Sequence, residues 1–359
     1  MRIAFITRST LYKVPGGDTI QVIQTARQLR ELGAEVDVCL TSDPINYNRY
    51  DLFHYFNIIR PADILFHINQ TDKPFVIAPI LVDYSEYDKH HRKGLSGLFL
   101  RHLPANSQEY AKTIARWLSR KDKLKSKSYL FRGQQRSVRQ ILERATLVLP
   151  NSEAEYKKLS DEYGIKKEYT IVPSGIDDRL FTADEKINKD STLVLCAARI
   201  EGIKNQLTLI RALNNSKYTL LLVGSPAPNQ KSYYNECKKI AAKNVIFHNH
   251  IPQEELISYY KKVKVHALPS WFETCGLSSL EAAAMGCNIM ITDKGYTKEY
   301  FGNDAFYCEP GDPESIFDKI EAASKSECRK DLQEKIMHQY TWQQAATITM
   351  KAYKKIISS

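Results

Sequence analysis

The segment VKVHALPSWFETCGLSSLEAAAMGCNIMITDKGYTKEYF, residues 263–301, decides the fold. VKVHAL is a strand-like run, SSLEAAAM is helix-forming, and NIMIT is a second strand-like run. Strand, tight loop, helix and strand in succession make a β-α-β unit, and hence a parallel sheet. The loop before the helix carries Glu273 and Gly276, and seven residues separate Glu273 from Glu281. A helix N-terminus has unpaired backbone N–H groups and a partial positive charge, so it readily holds a phosphate. Carboxylates flanking such a site can accept hydrogen bonds from sugar hydroxyls, and the segment therefore suits a nucleotide-sugar. Two plainer readings stand beside this one. Ser278-Ser279-Leu280-Glu281 has the spacing of a capping box, in which Glu281 folds back on its own helix start. Glu273 reads equally as a solvated loop acid.

Working outward, the same alternation recurs along the chain. RIAFIT (2–7) is a buried-strand pattern, followed by the turn-rich loop RSTLYKVPGGD (8–18). An amphipathic helix from about Thr19 to Leu32 follows, with Ile20, Ile23, Ala26 and Leu29 on its expected buried stripe. Gly33 ends it and EVDVCLT (35–41) is the next strand. DLFHYFN (51–57), DILFHIN (63–69) and PFVIAPILV (74–82) read as further strands; TLVLPN (146–151) resumes the sheet, and Ser152 is placed to cap the next helix. After VPSGID (172–177) a second series begins, with strands TLVLCAA (192–198), YTLLLVG (218–224) and NVIFHNH (244–250) alternating with helices at 205–213, 230–242 and 252–262. The tail YTWQQAATITMKAYKKII (340–357) is a helix long enough to cross back to the first series. The expected fold class is α/β, with two Rossmann-like parallel-sheet domains facing across a cleft. The first would comprise residues 1–172 plus 340–359, the second 173–339.

A length of 359 residues accommodates two cores, and 43% hydrophobic with 26% charged residues is an ordinary globular balance. No charged start followed by an apolar run marks a secretory signal, and no uncharged apolar stretch is of membrane-spanning length. The seven cysteines are scattered without a C-x-x-C pair, which fits reduced thiols in a cytoplasmic protein rather than zinc or disulfides. The net charge of +10 is local: residues 84–148 hold fifteen Lys/Arg against five Asp/Glu, so the remaining chain balances to zero.

Four clusters fall at expected strand ends, where ligands of such sheets bind. Gly16-Gly17 follows the first strand; glycines there permit close backbone approach and positive φ, or simply a turn. Arg199 and Lys204, in A-R-I-E-G-I-K-N, suit a diphosphate, with Arg gripping oxygens bidentately and Lys acting as a point charge. Cations near a helix N-terminus are mildly unfavourable unless an anion binds there. The third cluster is Glu273, Gly276 and Glu281. The fourth is GYTKEYF, where Glu299 either assists at a sugar or starts a short helix. His54 and His67 lie in strand-like runs and read as packed; His248 and His250 flank Asn249 near a strand end and suit a nucleotide pocket. No D-x-D, H-E-x-x-H or Cys/His cluster supplies a metal site.

These motifs together resemble family-4 glycosyltransferases, retaining enzymes of the two-domain GT-B fold. The resemblance rests on Gly16-Gly17, VPSGID (172–177), Arg199, Lys204 and the E-x7-E pair Glu273/Glu281, and extends to Trp342 and the last helix. It is strong in the second half and weak between about 40 and 140. It implies that the second domain binds a UDP- or GDP-linked sugar as co-substrate, with no other cofactor. Arg199 and Lys204 would hold the diphosphate, Glu281 the ribose and Glu273 the transferred sugar. Amides of Gly276, Leu277 and Ser278 would complete the phosphate cradle, beside Cys275 and His250, and the Gly16-Gly17 loop would close over the donor. Glu273, Arg199, Lys204 and Asp83 are the catalytic candidates. The sequence departs from the family pattern in three places: Cys275 where Phe is common, Gly295-Tyr296 where Gly-Gly is usual, and Asp83 near the position of a usual His.

The basic segment 89–144 also carries LSGLFL (95–100), Trp117-Leu118 and Tyr129-Leu130-Phe131. Cations with exposed aromatics suit an anionic membrane surface; the plainer reading is a helical insertion whose apolar residues pack internally. No recognised nucleic-acid motif accompanies the charge. The resemblance implies a glycan or lipid-linked acceptor in cell-surface polysaccharide synthesis, reached from the inner membrane face. A non-catalytic nucleotide-sugar-binding subunit and a GT-B sugar-nucleotide epimerase are the alternatives.

Overall fold

Parallel pairing begins with the first residues of the chain. The computed structural model describes residues 1–88, 104–119, 124–181 and 188–358, grouped in two compact units. In the first, the strands are β1 (Arg2–Thr7), β2 (Glu35–Leu40), β3 (Leu52–Phe56), β4 (Phe75–Ala78) and β5 (Leu147–Val148). They form one parallel sheet in the order β2-β1-β3-β4-β5, with Ile3 opposite both Val36 and Leu52. Layers on both faces bury β1 after its first residue, β3, β4 and β5, whereas the edge strand β2 is partly exposed and alternates charged and apolar residues.

Helix α1 (Gly17–Glu31) follows β1, and its buried face differs from the expected one. Val22, Ala26 and Leu29 are buried with Thr19 and Thr25, while Ile20 and Ile23 are 38% and 40% exposed. Val22, Ala26 and Leu29 share a stripe at i, i+4 and i+7, and the tolerated polar company of Thr and Gln hides that stripe from a hydrophobicity count. DILFHIN (63–69) is not a strand. It lies mostly within helix α2 (Pro61–Ile68), where Pro61 occupies the first turn and its missing N–H costs nothing. β3 and β4 pair in parallel, so the chain between them must cross over, and α2 is that crossover. PFVIAPILV likewise shortens: β4 ends at Ala78, immediately before Pro79.

Helices α3 (Ala105–Leu118), α4 (Ser128–Arg144) and α5 (Glu153–Tyr163) complete the layers before the second unit. Gly133, at φ 68°, kinks α4. Ser152 caps α5, accepting from Glu155 N at 3.1 Å. The LSGLFL run lies outside the described residues.

The second unit comprises residues 175–181 and 188–341 together with residues 86–88. Its strands are β6 (Asp190–Ala197), β7 (Thr219–Val223), β8 (Val245–His248), β9 (Val263–Leu268), β10 (Asn288–Thr292) and β11 (Phe306–Cys308). The helices are α6 (Gln206–Leu213), α7 (Lys231–Ile240), α8 (Gln253–Lys262), α9 (Leu277–Ala284), α10 (Thr297–Phe301), α11 (Pro313–Lys325) and α12 (Lys330–Gln339). The sheet order is β11-β10-β9-β6-β7-β8, parallel throughout. From β6 the chain winds outward through β7 and β8, then returns to the other side of β6 as β9. The junction of β6 and β9 is thus the topological switch point, where loops part from neighbouring carboxyl ends and leave room for a ligand.

The last helix, α13 (Trp342–Ile357), belongs to the first unit, packs on α1, and ties to β3 through Tyr353 Oη and His54 Nδ1, 2.6 Å apart. No described helix is long and apolar enough to cross a membrane. All seven cysteines are free thiols.

Candidate active site

The two loops that part at the switch point carry Lys204 and Glu273, which the sequence placed in separate clusters and the structure pairs. The loop after β6 ends in the turn Gly202–Lys204, and the loop after β9 carries Glu273. Lys204 Nζ lies 2.6 Å from Glu273 Oε1, which also accepts from Ser270 Oγ at 2.6 Å. Glu273 is 6% exposed, so it is a buried, paired carboxylate and not a solvated loop acid. Burial alone would lower the Lys204 pKa, but Glu273 and Glu201 outweigh it and hold the ammonium above its ordinary value. Trp271 N donates to Ile203 O at 2.8 Å, locking the two loops together. Asn205 takes φ 58° and its amide donates to Pro269 O and Pro310 O, which explains an Asn in that left-handed position.

Glu273 is positioned from its backbone as well. Its N–H donates to Lys294 O and its carbonyl accepts from Tyr296 N, both at 3.0 Å. Gly295, at φ 108°, lies so close that a Cβ there would stand 2.0 Å from Glu273 O. The glycine kept from the expected Gly-Gly pair is the one this contact demands. Glu299 lies within the short helix α10.

Gly276, at φ 68° and ψ 68°, turns the chain into α9, and a Cβ on it would meet Ile291 Cδ1 at 3.0 Å. The first intrahelical bond is Ser279 N to Gly276 O, so the amides of Leu277 and Ser278 precede the helical ladder. Cys275 before the turn is buried in the apolar core, where it acts as a small hydrophobe.

Glu281 does not form the capping box. The cap position is Gly276, which lacks a side chain, and Ser278 already lies inside the helix. The Glu281 carboxylate instead accepts from Gln253 Nε2 at 2.7 Å and from Tyr260 Oη at 3.1 Å, both on α8. Burial raises its pKa from 4.5 to about 7, with the Tyr260 and Gln253 bonds partly opposing the rise. Arg199 pairs with Glu201 at 2.8 Å. His250 is exposed and its N–H donates to Ser225 Oγ, while the His248 ring meets Tyr259 edge-on.

Gly16, Gly17 and Asp83 lie in the first unit. Gly16 is the N-cap of α1 with φ −153°, so the positive φ that glycine permits is not used; its N–H donates to Thr19 Oγ1 at 3.0 Å. Asp83 pairs with Lys158 Nζ and accepts from Ser85 N at 2.8 Å. Burial would raise its pKa, but these partners win and hold it below the ordinary carboxylate value. It lines a narrow cavity with Asn106, Gln134, Glu162 and Tyr163. Nearby, Ile80 takes φ 46°, a conformation β-branched residues rarely adopt. The next amide, Leu81 N, donates to the fully buried Glu155 at 2.6 Å. His54 and His67 are packed as expected, His67 in a helix between Tyr47 and Thr41; burial pushes their pKa values to about 3 and about 4.

Sequence reasoning missed Ser270, Tyr260, Gln253, Lys158 and Glu155. Glu155 alone had a legible signal, as the third residue after the Ser152 cap. The others act from separate elements with no fixed spacing to their partners.

Residues 177–340 match the family model described as glycosyl transferases group 1. That match takes in nearly all of the second unit and less than half of the chain. The D-inositol 3-phosphate glycosyltransferase of Paenarthrobacter aurescens is 24% identical to this chain over 253 residues, covering 63% of this chain and 60% of that protein. The chain thus matches less than two thirds of that relative's length. Sucrose-phosphate synthase from Thermosynechococcus elongatus superimposes with a TM-score of 0.75 at 17% identity, covering 100% of this chain and 99% of that one. Anabaena HepE, solved with UDP and glucose, gives 0.67 at 16% identity and covers 100% of both chains. At such identities the likeness establishes fold, and the fold class is GT-B, with two Rossmann-like parallel-sheet units.

Proposed function

We propose that the protein is a retaining, metal-independent glycosyltransferase that moves a sugar from a nucleoside-diphosphate sugar to a hydroxyl of a glycan or lipid-linked acceptor. The observation that carries this reading is the Lys204–Glu273 pair at the switch point, beside the amides that open α9. Diphosphate oxygens take Lys204, Arg199 and the Leu277 and Ser278 amides as partners. Glu273, released from Lys204, accepts hydrogen bonds from the sugar, and Glu281 accepts from the ribose. The anomeric C–O bond to the diphosphate breaks while the acceptor oxygen bonds the same carbon on the same face. The acceptor proton passes to the departing diphosphate oxygen, whose charge the cations and helix amides stabilise. The complex of HepE with UDP and glucose favours a uridine-linked donor over a guanosine-linked one. Acceptor-dependent release of UDP or GDP, with NMR of the product linkage, tests the reading. Donor turnover without an acceptor would indicate an epimerase instead, and binding without turnover a non-catalytic subunit.

A membrane surface as the site of acceptor capture is favoured by one further observation. In the basic segment Leu118 is 70% and Phe131 87% exposed, with Trp117 also exposed, whereas Tyr129 is buried. Such apolar side chains among cations match anionic lipid at the cytoplasmic face. Co-flotation with phosphatidylglycerol vesicles at low salt is expected, with none on phosphatidylcholine alone. A protein that stays in the soluble fraction with both removes this reading.

A further inference from the structure

Residues 86–88 group with the second unit, although in sequence they precede the basic segment. Two consecutive side chains there touch the loop after β6, which carries Lys204, and the loop after β10, whose backbone holds Glu273. The Tyr87 phenol fills the space a side chain at Gly202 would occupy: a Cβ on Gly202 would stand 1.8 Å from Tyr87 Oη and 2.4 Å from Cζ. Gly202 opens the turn that ends in Lys204. Glu86 Oε1 lies 3.6 Å from Lys294 Nζ, and the carbonyl of Lys294 is the acceptor for Glu273 N. Asp88, the next residue, is fully buried, so the segment is seated rather than loosely draped.

We propose that Glu86–Asp88 is a strap across the loops after β6 and β10, with Tyr87 and Glu86 as positioning residues for the diphosphate grip of Lys204 and the sugar grip of Glu273. The proposal rests on the nucleotide-sugar reading and adds to it the residues that set the spacing of the two grips. Gly202 is the counterpart of Tyr87: its bare Cα admits the phenol against the turn. The turn therefore carries a glycine for a packing reason, since Gly202 has no positive φ to accommodate. Lys294 serves both sides, its side chain meeting the strap and its backbone meeting Glu273.

The test uses the full chain with Tyr87→Ala, Gly202→Ala, the double variant, and Glu86→Gln. Hydrogen exchange without ligand reads the strap itself: Tyr87→Ala and Glu86→Gln should speed exchange at Trp271 N and Glu273 N, the amides that tie the loop after β9 to those after β6 and β10. Calorimetry with UDP and GDP reads the grip. Tyr87→Ala and Gly202→Ala should each weaken nucleotide binding about tenfold, and the double variant also about tenfold rather than a hundredfold, because both lesions act through one contact. Unchanged exchange overturns the strap. Faster exchange with unchanged nucleotide affinity, where Lys204→Ala abolishes binding, reduces Tyr87 to a structural residue and overturns the positioning role. Multiplicative losses in the double variant would separate Gly202 from Tyr87 and overturn their pairing. If the wild-type protein binds neither nucleotide, the donor site falls and the proposal with it.

Discussion

Replacing Glu281 by Gln should stabilise the protein at alkaline pH while weakening its hold on nucleotide. The Glu281 carboxyl is raised from 4.5 to about 7, chiefly by burial. An acid whose folded pKa lies above its unfolded one stabilises the fold below the unfolded pKa and loses that contribution as pH rises through the folded one. The linked penalty grows from below about 1 kcal/mol at pH 5 to roughly 3 kcal/mol at pH 8. Gln at this position carries no charge, and its carbonyl can still accept from Gln253 Nε2. Tyr260 Oη keeps Ser278 O as an acceptor at 3.2 Å. Thermal unfolding of wild type and variant at pH 5 and pH 8 measures the difference. For a unit of this size ~3 kcal/mol corresponds to a rise of roughly 6–12 °C at pH 8, with little change at pH 5. Calorimetry on the same samples should give weaker UDP binding, since a neutral amide accepts less strongly from ribose than a carboxylate. A variant no more stabilised at pH 8 than at pH 5 refutes the argument that burial raises this carboxyl.

Lys204→Ala leaves Glu273 buried beside Ser270 without its cation; a loss of about 3 kcal/mol is expected in denaturant titration, partly recovered when Glu273→Gln is added. Gly295→Ala places a Cβ against the Glu273 carbonyl at positive φ, and should lower stability by more than about 2 kcal/mol and reduce turnover through misplacement of Glu273. Burial lowers the His54 pKa to about 3, so its neutral form stabilises the first unit above pH 6.5 and this contribution is lost as pH falls towards 3. His54→Phe should therefore remove about 2 kcal/mol of the acid sensitivity between pH 7 and 5, read from unfolding midpoints across that range.

The alternation of strands and helices was legible because parallel strands buried on both faces must be apolar throughout, and both sheets write that pattern into the chain. Errors fell where local pattern carries no direction. Seven residues of DILFHIN suit a strand or a buried helix equally, and only the parallel pairing of β3 with β4 demanded a crossover. Ile20 and Ile23 looked like a core face, but the stripe actually buried runs through Val22, Ala26 and Leu29. Ser278 and Glu281 have capping-box spacing, yet the chain enters the helix at Gly276 and the carboxylate turns to another helix.

For the site, the sequence by itself determined which groups stand at the carboxyl ends of strands: Lys204 and Arg199 after β6, Glu273 and Gly276 after β9. That follows from local order, since a loop between a strand and a helix in a parallel sheet opens at that end. Only the tertiary structure decided that β6 and β9, sixty-odd residues apart in the chain, are neighbours. It thereby joined Lys204 to Glu273, gave Glu281 its partners on α8, and seated Tyr87 on Gly202. Such contacts join distant stretches of chain through the order of strands in a sheet, and no local spacing encodes that order.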